Sequence, residues 1–248
     1  MQSTSLLNTK EAARFLRVSE ASIRRWSDAG LLPARRVGRR RERRFEHDDL
    51  VRFLGQPERH VQSAVVEPSP VIVGGAPVPL STHIAPIYST DLGGLRLTVP
   101  FLADGLRAGQ ACFLVANGAV VDRYARALSH EQGIDFDAAV RRGELVLLDG
   151  PGPNVAGAIG NWERLLGSAL AGGPTVLRVV GEMARERAMF ESDGAMMAYE
   201  EAYDVMARRF PLVTLCQYDA REFDGETLLR ALKSHPDMFE QHLGRFLN

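Results

Sequence analysis

The chain has 248 residues, is 45% hydrophobic and 25% charged, and holds two cysteines, which fits a soluble globular protein with either one large domain or a small and a medium one. The N-terminus lacks a charged segment followed by an apolar run and a small-residue cleavage site, and no stretch reaches the roughly 18–20 apolar residues of a membrane span, so a cytoplasmic protein without membrane contact is expected. The net charge of -1 is unevenly spread: residues 1–60 carry 14 Lys+Arg against 8 Asp+Glu, and the remainder 16 against 23. A basic module joined to an acidic one suits a protein of which only one end should meet polyphosphate.

In chain order, Thr9 is a suitable N-cap for a helix reaching about Leu16, with Ala12, Ala13 and Leu16 on one face. Ser19 caps a second helix, in which Ile23 and Trp26 face a core while Ser22, Arg24 and Arg25 project elsewhere, and Gly30 supplies a stop. The short turn at Arg17 and Val18 makes the pair a helix-turn-helix whose second helix can enter a major groove. Residues 35–44 hold seven arginines and a single acid, Glu42, around Gly38. A charge run alone reads as a solvated face. Directly behind a helix-turn-helix it reads as a β-hairpin wing, and the planar arginine fork can pair with phosphate oxygens or a guanine edge.

Residues 55–81 contain five of the 13 prolines and the pair Gly74 and Gly75, with no helical periodicity, and read as a flexible, partly extended linker. The expected divisions are a DNA-binding domain at 1–55, a linker at 56–81 and a second domain at 82–248. Nearly continuous apolar runs at 83–88, 112–116, 145–148, 176–180 and 213–217 read as strands buried on both faces. Helical patterns at about 92–108, 119–130, 155–171 and 193–209 lie between them, and Pro100 should kink or delay the first. The expected class is therefore α/β, a parallel sheet covered by helices behind a small winged helix-turn-helix. Cys112 and Cys216 sit in strand-like runs and read as buried small side chains; Met196 and Met197 read as core. No Cys/His cluster has zinc spacing, so neither a metal nor a cofactor is expected.

Residues 7–54, with "VSEASIRRW", "GLLP", the arginine wing and "RFEHDDLVRFL", resemble the winged-helix headpiece of MerR-type and excisionase-like regulators. The resemblance implies that Ser22, Arg24 and Arg25 face double-stranded DNA, that Trp26 braces its backbone, and that Arg36, Arg39, Arg40, Arg41, Arg43 and Arg44 grip phosphate. The family's long dimerisation helix is missing, which leaves the pairing of two headpieces in a homodimer to the second domain or the DNA. Residues 82–236, with "HIAPIY", "GELVLLD", "LRVVGEM", "YEEAYDVM" and "LVTLCQYDAREF", resemble the MEDS sensory domain of methanogens and methylotrophs. That resemblance implies a three-layer fold of RecA/KaiC type and, behind a helix-turn-helix, a repressor that senses a small organic molecule.

A phosphate loop would need glycine amides, a lysine and a Mg²⁺-binding hydroxyl between the first strand and its helix. That place reads Ser89-Thr90-Asp91-Leu92-Gly93-Gly94-Leu95, and the whole chain has only Lys10 and Lys233, so no enzyme is expected. Ligands of open α/β sheets bind beyond the carboxyl ends of the strands. Those ends offer Tyr88, Ser89, Asp91, Asn117, Glu182, Tyr218 and Asp219 as effector contacts, with His83 on the first strand. An acid at the end of an apolar strand needs a partner, so Glu182 stands out, either as a ligand contact or as a structural acid paired with Arg185 or Arg187. His83 and His235 also have structural readings. A partner-switch scaffold is the alternative to a ligand-responsive regulator.

Overall fold

A computed structural model describes residues 6–16, 18–28, 32–38, 42–54, 71–152, 154–240 and 243–248. The headpiece opens with β1 (Leu6–Asn8), α1 (Thr9–Leu16) and α2 (Glu20–Asp28). Asn8, one residue before the expected cap, is the α1 N-cap. Its Oδ1 accepts from the Glu11 amide at 2.9 Å while Glu11 returns a carboxylate to the Asn8 amide at 2.8 Å, a reciprocal capping box. Ser19 caps α2 as expected, accepting from the Ser22 amide at 3.1 Å. The arginine run forms the hairpin β2 (Arg35–Val37) and β3 (Glu42–Glu46), and β3 also pairs with β1. Helix α3 (His47–Leu54) follows, and Ile23, Trp26, Leu32, Phe45 and Leu50 fill the small core.

Within the expected linker, residues 71–78 form two strands. Strands β4 (Val71–Val73) and β5 (Ala76–Val78) pair as a hairpin. Gly74 and Gly75 have φ of 57° and 78°, the left-handed pair of a two-residue turn that glycine adopts without a Cβ penalty. Val71, Val73 and Val78 point inward onto the main core, so the alternation that marks a strand was obscured by the neighbouring prolines and glycines. Residues 55–70 lie outside the described residues.

The first expected strand of the second domain is two pieces, β6 (Thr82–Ile84) and β7 (Ile87–Tyr88), interrupted at Ala85 and Pro86. Then come α4 (Asp91–Arg107), β8 (Ala111–Val115), α5 (Gly118–Gln132), α6 (Phe136–Arg141), β9 (Leu145–Leu148), α7 (Val155–Ala171) and β10 (Leu177–Glu182). Next are α8 (Met183–Arg187), α9 (Asp193–Ala207), β11 (Leu212–Asp219), α10 (Gly225–Ser234) and α11 (Asp237–Glu240). Helix α4 runs through Pro100 without ending, and its N-cap is Thr90, whose hydroxyl accepts from the Gly93 amide at 3.0 Å.

The strands form one sheet in the order β6-β11-β10-β8-β9, with β7 beside β11, and every pairing is parallel. Alternation sorts the side chains onto two faces. Cys112, Leu114 and Val180 join the core under α4 and α5, whereas Phe113, Val115 and Val179 join the core under α7 and α9. That second core continues into the headpiece, because α2 and α3 pack against α9.

Candidate functional site

The wing and the end of α2 are joined by ion pairs, and each described arginine there, Arg24, Arg35, Arg36, Arg43 and Arg44, has an acidic partner. Arg36 and Arg43 both reach Asp28 at the end of α2, which ties the hairpin to the helix, and Arg44 pairs with Glu42 at 2.9 Å. A cleft of about 480 Å³ gathers Lys10, Arg36, Arg43 and Arg44 beside the start of α1. Arg24 is exposed and pairs with Glu20 at 2.8 Å across one helical turn. Arg39, Arg40 and Arg41, and the Arg25 side chain, lie outside the described residues.

Two residues expected at the DNA surface are elsewhere. Trp26 is 2% exposed and packs inside the headpiece with its ring 5.5 Å from that of Phe53, so it is a core anchor of α2. Ser22 is 4% exposed and faces the second domain, donating its hydroxyl to Glu201 of α9 at 3.0 Å. The Ser19 hydroxyl, 2.9 Å away, completes the chain by donating to Ser22.

In the second domain a cleft of about 650 Å³ opens beyond the carboxyl ends of β7, β8, β10 and β11. Chain connections leave β8 towards β9 and return to β10 on the other side, so this is the crevice at a reversal of strand order. Of the expected effector residues it brings together Tyr88, Asn117, Glu182 and Asp219. Arg123, Arg126, Arg185 and Arg221 line it as well. Asp91 holds the rim, pairing with Arg221 at 2.7 Å and Arg123 at 2.9 Å; these two guanidiniums keep its carboxyl below the usual range.

Glu182 closes the floor and pairs with neither Arg185 nor Arg187, which bind Asp149 and Asp193 instead. It accepts from Tyr124 and Gln217 at 2.9 Å each and from Tyr88 at 3.2 Å. Burial nevertheless raises its pKa, outweighing the three donors that favour the charged form. Burial and the Glu182 charge hold the Tyr88 and Tyr124 phenols far from ionisation, so both act as donors. Tyr124 and Gln217 are the members that sequence reasoning missed. The amide of Gln217 inside an otherwise apolar strand was a usable signal; Tyr124, on a helix face that packs inward, had none.

The remaining expected residues lie away from this cleft. Ser89 is exposed, with its amide donating to the Asn248 carbonyl at 2.9 Å. His83 and Tyr218 are fully buried and absent from the cleft lining, because strand alternation turns them towards α9. His83 lies 3.0 Å from His235, and Tyr218 packs on Phe223 at 5.1 Å between ring centroids.

Two family models match the chain, and a curated relative and a solved structure are similar to it. Residues 82–236 match the MEthanogen/methylotroph, DcmR Sensory domain, and residues 6–56 match a helix-turn-helix domain. The transcriptional repressor DcmR of Methylorubrum extorquens is 36% identical over 247 residues, covering 96% of this chain and 92% of that protein. Among solved structures, the flagellar accessory protein FlaH of Methanocaldococcus jannaschii superposes with a TM-score of 0.43 at 12% identity, over 65% of this chain and 71% of that one. Among the described residues no helix is long and apolar enough to cross a membrane. The chain belongs to the family of MEDS-domain transcriptional regulators that carry a helix-turn-helix at the N-terminus.

Proposed function

We propose that this regulator is a cytoplasmic, homodimeric repressor, that its headpiece grips duplex DNA in the MerR and excisionase-like manner, and that a small organic effector bound at the Glu182 cleft controls that grip. Arg24 and Arg25 read base edges, while Arg36, Arg39, Arg40, Arg41, Arg43 and Arg44 neutralise phosphates. The observation that carries the reading is the bond between Ser22 on the second helix of the helix-turn-helix and Glu201 on α9. It links the DNA-reading element to the sensory domain by direct contact. The cleft connects to this contact through two helices: Ala184 and Arg185 of α8 line it, and α8 packs on α9. A ligand that shifted α8 would be felt at Ser22.

The effector must bind the two headpiece arrangements with different affinity, by roughly 1–3 kcal/mol, to change operator occupancy. DNA fragments selected by the protein from a random pool identify the operator. Small organic molecules are then screened for a saturable melting shift and for release of that operator. Glu182→Gln should alter the dose-response while leaving ligand-free operator binding intact; an unchanged dose-response makes Glu182 a structural acid.

A further inference from the structure

Four side chains far apart in the sequence meet on the α9 side of the sheet: His83 from β6, Glu200 from α9, Cys216 from β11, and His235 just after α10. Their potential ligand atoms all lie within 4.8 Å of one another, and none of the four residues is more than 4% exposed. His83 Nε2 is 3.0 Å from His235 Nε2, 3.1 Å from Cys216 Sγ and 3.5 Å from Glu200 Oε2. His235 Nε2 is 3.0 Å from the same carboxylate oxygen. A tetrahedral ion with bonds of roughly 2.0–2.3 Å sets its ligand atoms roughly 3.3–3.8 Å apart, so these separations approach the edges of such a polyhedron.

The protein by itself pairs these groups poorly. Two imidazole nitrogens at 3.0 Å can share only one proton. Both Glu200 oxygens are buried, and the donors at hand for them among the described residues are the quartet's own His235, 3.0 Å away, and the Cys216 thiol. A buried carboxylate in that condition is costly. No lysine or arginine stands within the quartet. A divalent cation would balance one carboxylate and one thiolate and take both imidazole lone pairs in place of the shared proton.

A hydrogen-bond acceptor stands behind each imidazole, bonded to His235 and only near His83. His235 Nδ1 lies 2.8 Å from the Ala231 carbonyl and donates to it, so in the neutral ring that a metal binds the lone pair is on Nε2, facing inward. His83 Nδ1 is 3.5 Å from Asp204 Oδ1, and Asp204 is held by Arg208 at 3.2 Å. A carboxylate or carbonyl behind each histidine is the usual way of fixing tautomer and ring angle at a metal centre. We propose that His83 Nε2, His235 Nε2, Glu200 Oε2 and Cys216 Sγ bind one divalent transition-metal ion of the Zn²⁺ type. Nitrogen and sulfur donors exclude Mg²⁺ and Ca²⁺, which take oxygen ligands. None of the four lines the clefts described above, and four protein ligands leave no open position, so the ion holds α9, β6 and β11 together without binding substrate.

The full-length protein, purified from zinc-supplemented medium, should carry one ion per chain by elemental analysis. After removal of that ion, Co²⁺ should restore one equivalent with tetrahedral visible bands and a near-ultraviolet thiolate-to-metal band. Cys216→Ser should abolish the thiolate band. Asp204→Asn, which leaves all four ligands in place, should weaken Zn²⁺ binding about 10–100-fold. Metal-free protein that takes up neither Zn²⁺ nor Co²⁺ overturns the site. Co²⁺ bound without a thiolate band by the folded wild-type chain overturns the ligand set, and this readout needs no variant to fold.

Discussion

Glu200 and Glu201 are consecutive on α9 and serve opposite neighbours: Glu200 lies 3.0 Å from His235 inside the domain, and Glu201 accepts the Ser22 hydroxyl from the headpiece at 3.0 Å. One helix therefore carries the buried quartet on one side and the DNA-binding module on the other. A hydrogen bond to a charged acceptor contributes roughly 1.5–3 kcal/mol, enough to bias headpiece placement. Glu201→Ala frees Ser22 and removes a negative charge next to the DNA-reading helix, so operator affinity without effector should rise about tenfold, equivalent to about 1.4 kcal/mol. Ser22→Ala should act through the same bond, and the double variant should gain no more than the stronger single one. Strict additivity in a binding titration would show that the two residues act independently.

The wing should behave as a phosphate clamp. Replacing Arg39, Arg40 and Arg41 with alanine should weaken all DNA sequences alike and flatten the dependence of log affinity on log salt, because each lost phosphate contact releases about one counterion fewer. Arg24→Ala should instead relax sequence preference, at a cost of about 1–3 kcal/mol on the best site if it reads a base edge. Titrations at several salt concentrations separate the two effects. Equal salt slopes for the wild type and the triple variant would remove the wing from the phosphates.

Local chemistry made most of the architecture legible. Apolar runs buried on both faces gave the strands; 145–148 and the helix 155–171 agree with the structure to the residue. The misses have physical causes. In the hairpin at 71–78, the residues that make a tight turn are the same ones that make a flexible linker, and only packing against the core distinguishes them. Helix periodicity already puts Trp26 on the core side, against the DNA role implied by the resemblance, whereas the neighbour of Ser22 is another domain nearly 180 positions away. The quartet of His83, Glu200, Cys216 and His235 has no sequence spacing to recognise, since parallel crossovers bring its members together only in the folded sheet. Of the residues expected at the strand ends, Tyr88, Asn117, Glu182 and Asp219 share one cleft, whereas strand alternation turns His83 and Tyr218 to the other face.

Nucleotide hydrolysis should be absent from the purified protein. The Tyr88 ring packs on Gly94, where a Cβ would come within 3.0 Å of it, and Asn248 lies against Gly93, so side chains fill the turn where phosphates would be cradled. No lysine supplies the charge that offsets β- and γ-phosphates. Phosphate release from ATP with Mg²⁺, followed across a gel-filtration profile, should stay at the level of the Glu182→Gln variant and of buffer. Release that tracked the protein peak would restore an active site to this end of the sheet.

The pH dependence of stability should carry the signature of Glu182. Burial raises its folded-state pKa above the ordinary carboxylate value of about 4.3. On raising the pH, the unfolded chain loses this proton first while the folded chain keeps it, so the folded state binds more protons and stability falls with pH. The contribution is fully present below the unfolded pKa and is lost by the time the pH has risen through the folded pKa, with each unit of separation equal to about 1.4 kcal/mol. Glu182→Gln cannot titrate, and its carbonyl can still accept from Tyr124 and Gln217 while the Tyr88 hydroxyl turns to accept from the new amide. Thermal melts from pH 4 to 8 should therefore show the variant gaining on the wild type as the pH rises, with the smallest difference at the acid end. A difference in Tm that stayed constant over the whole range would mean that the three donors already compensate the buried charge, and that the Glu182 floor is a neutral hydrogen-bond network in its effect on folding.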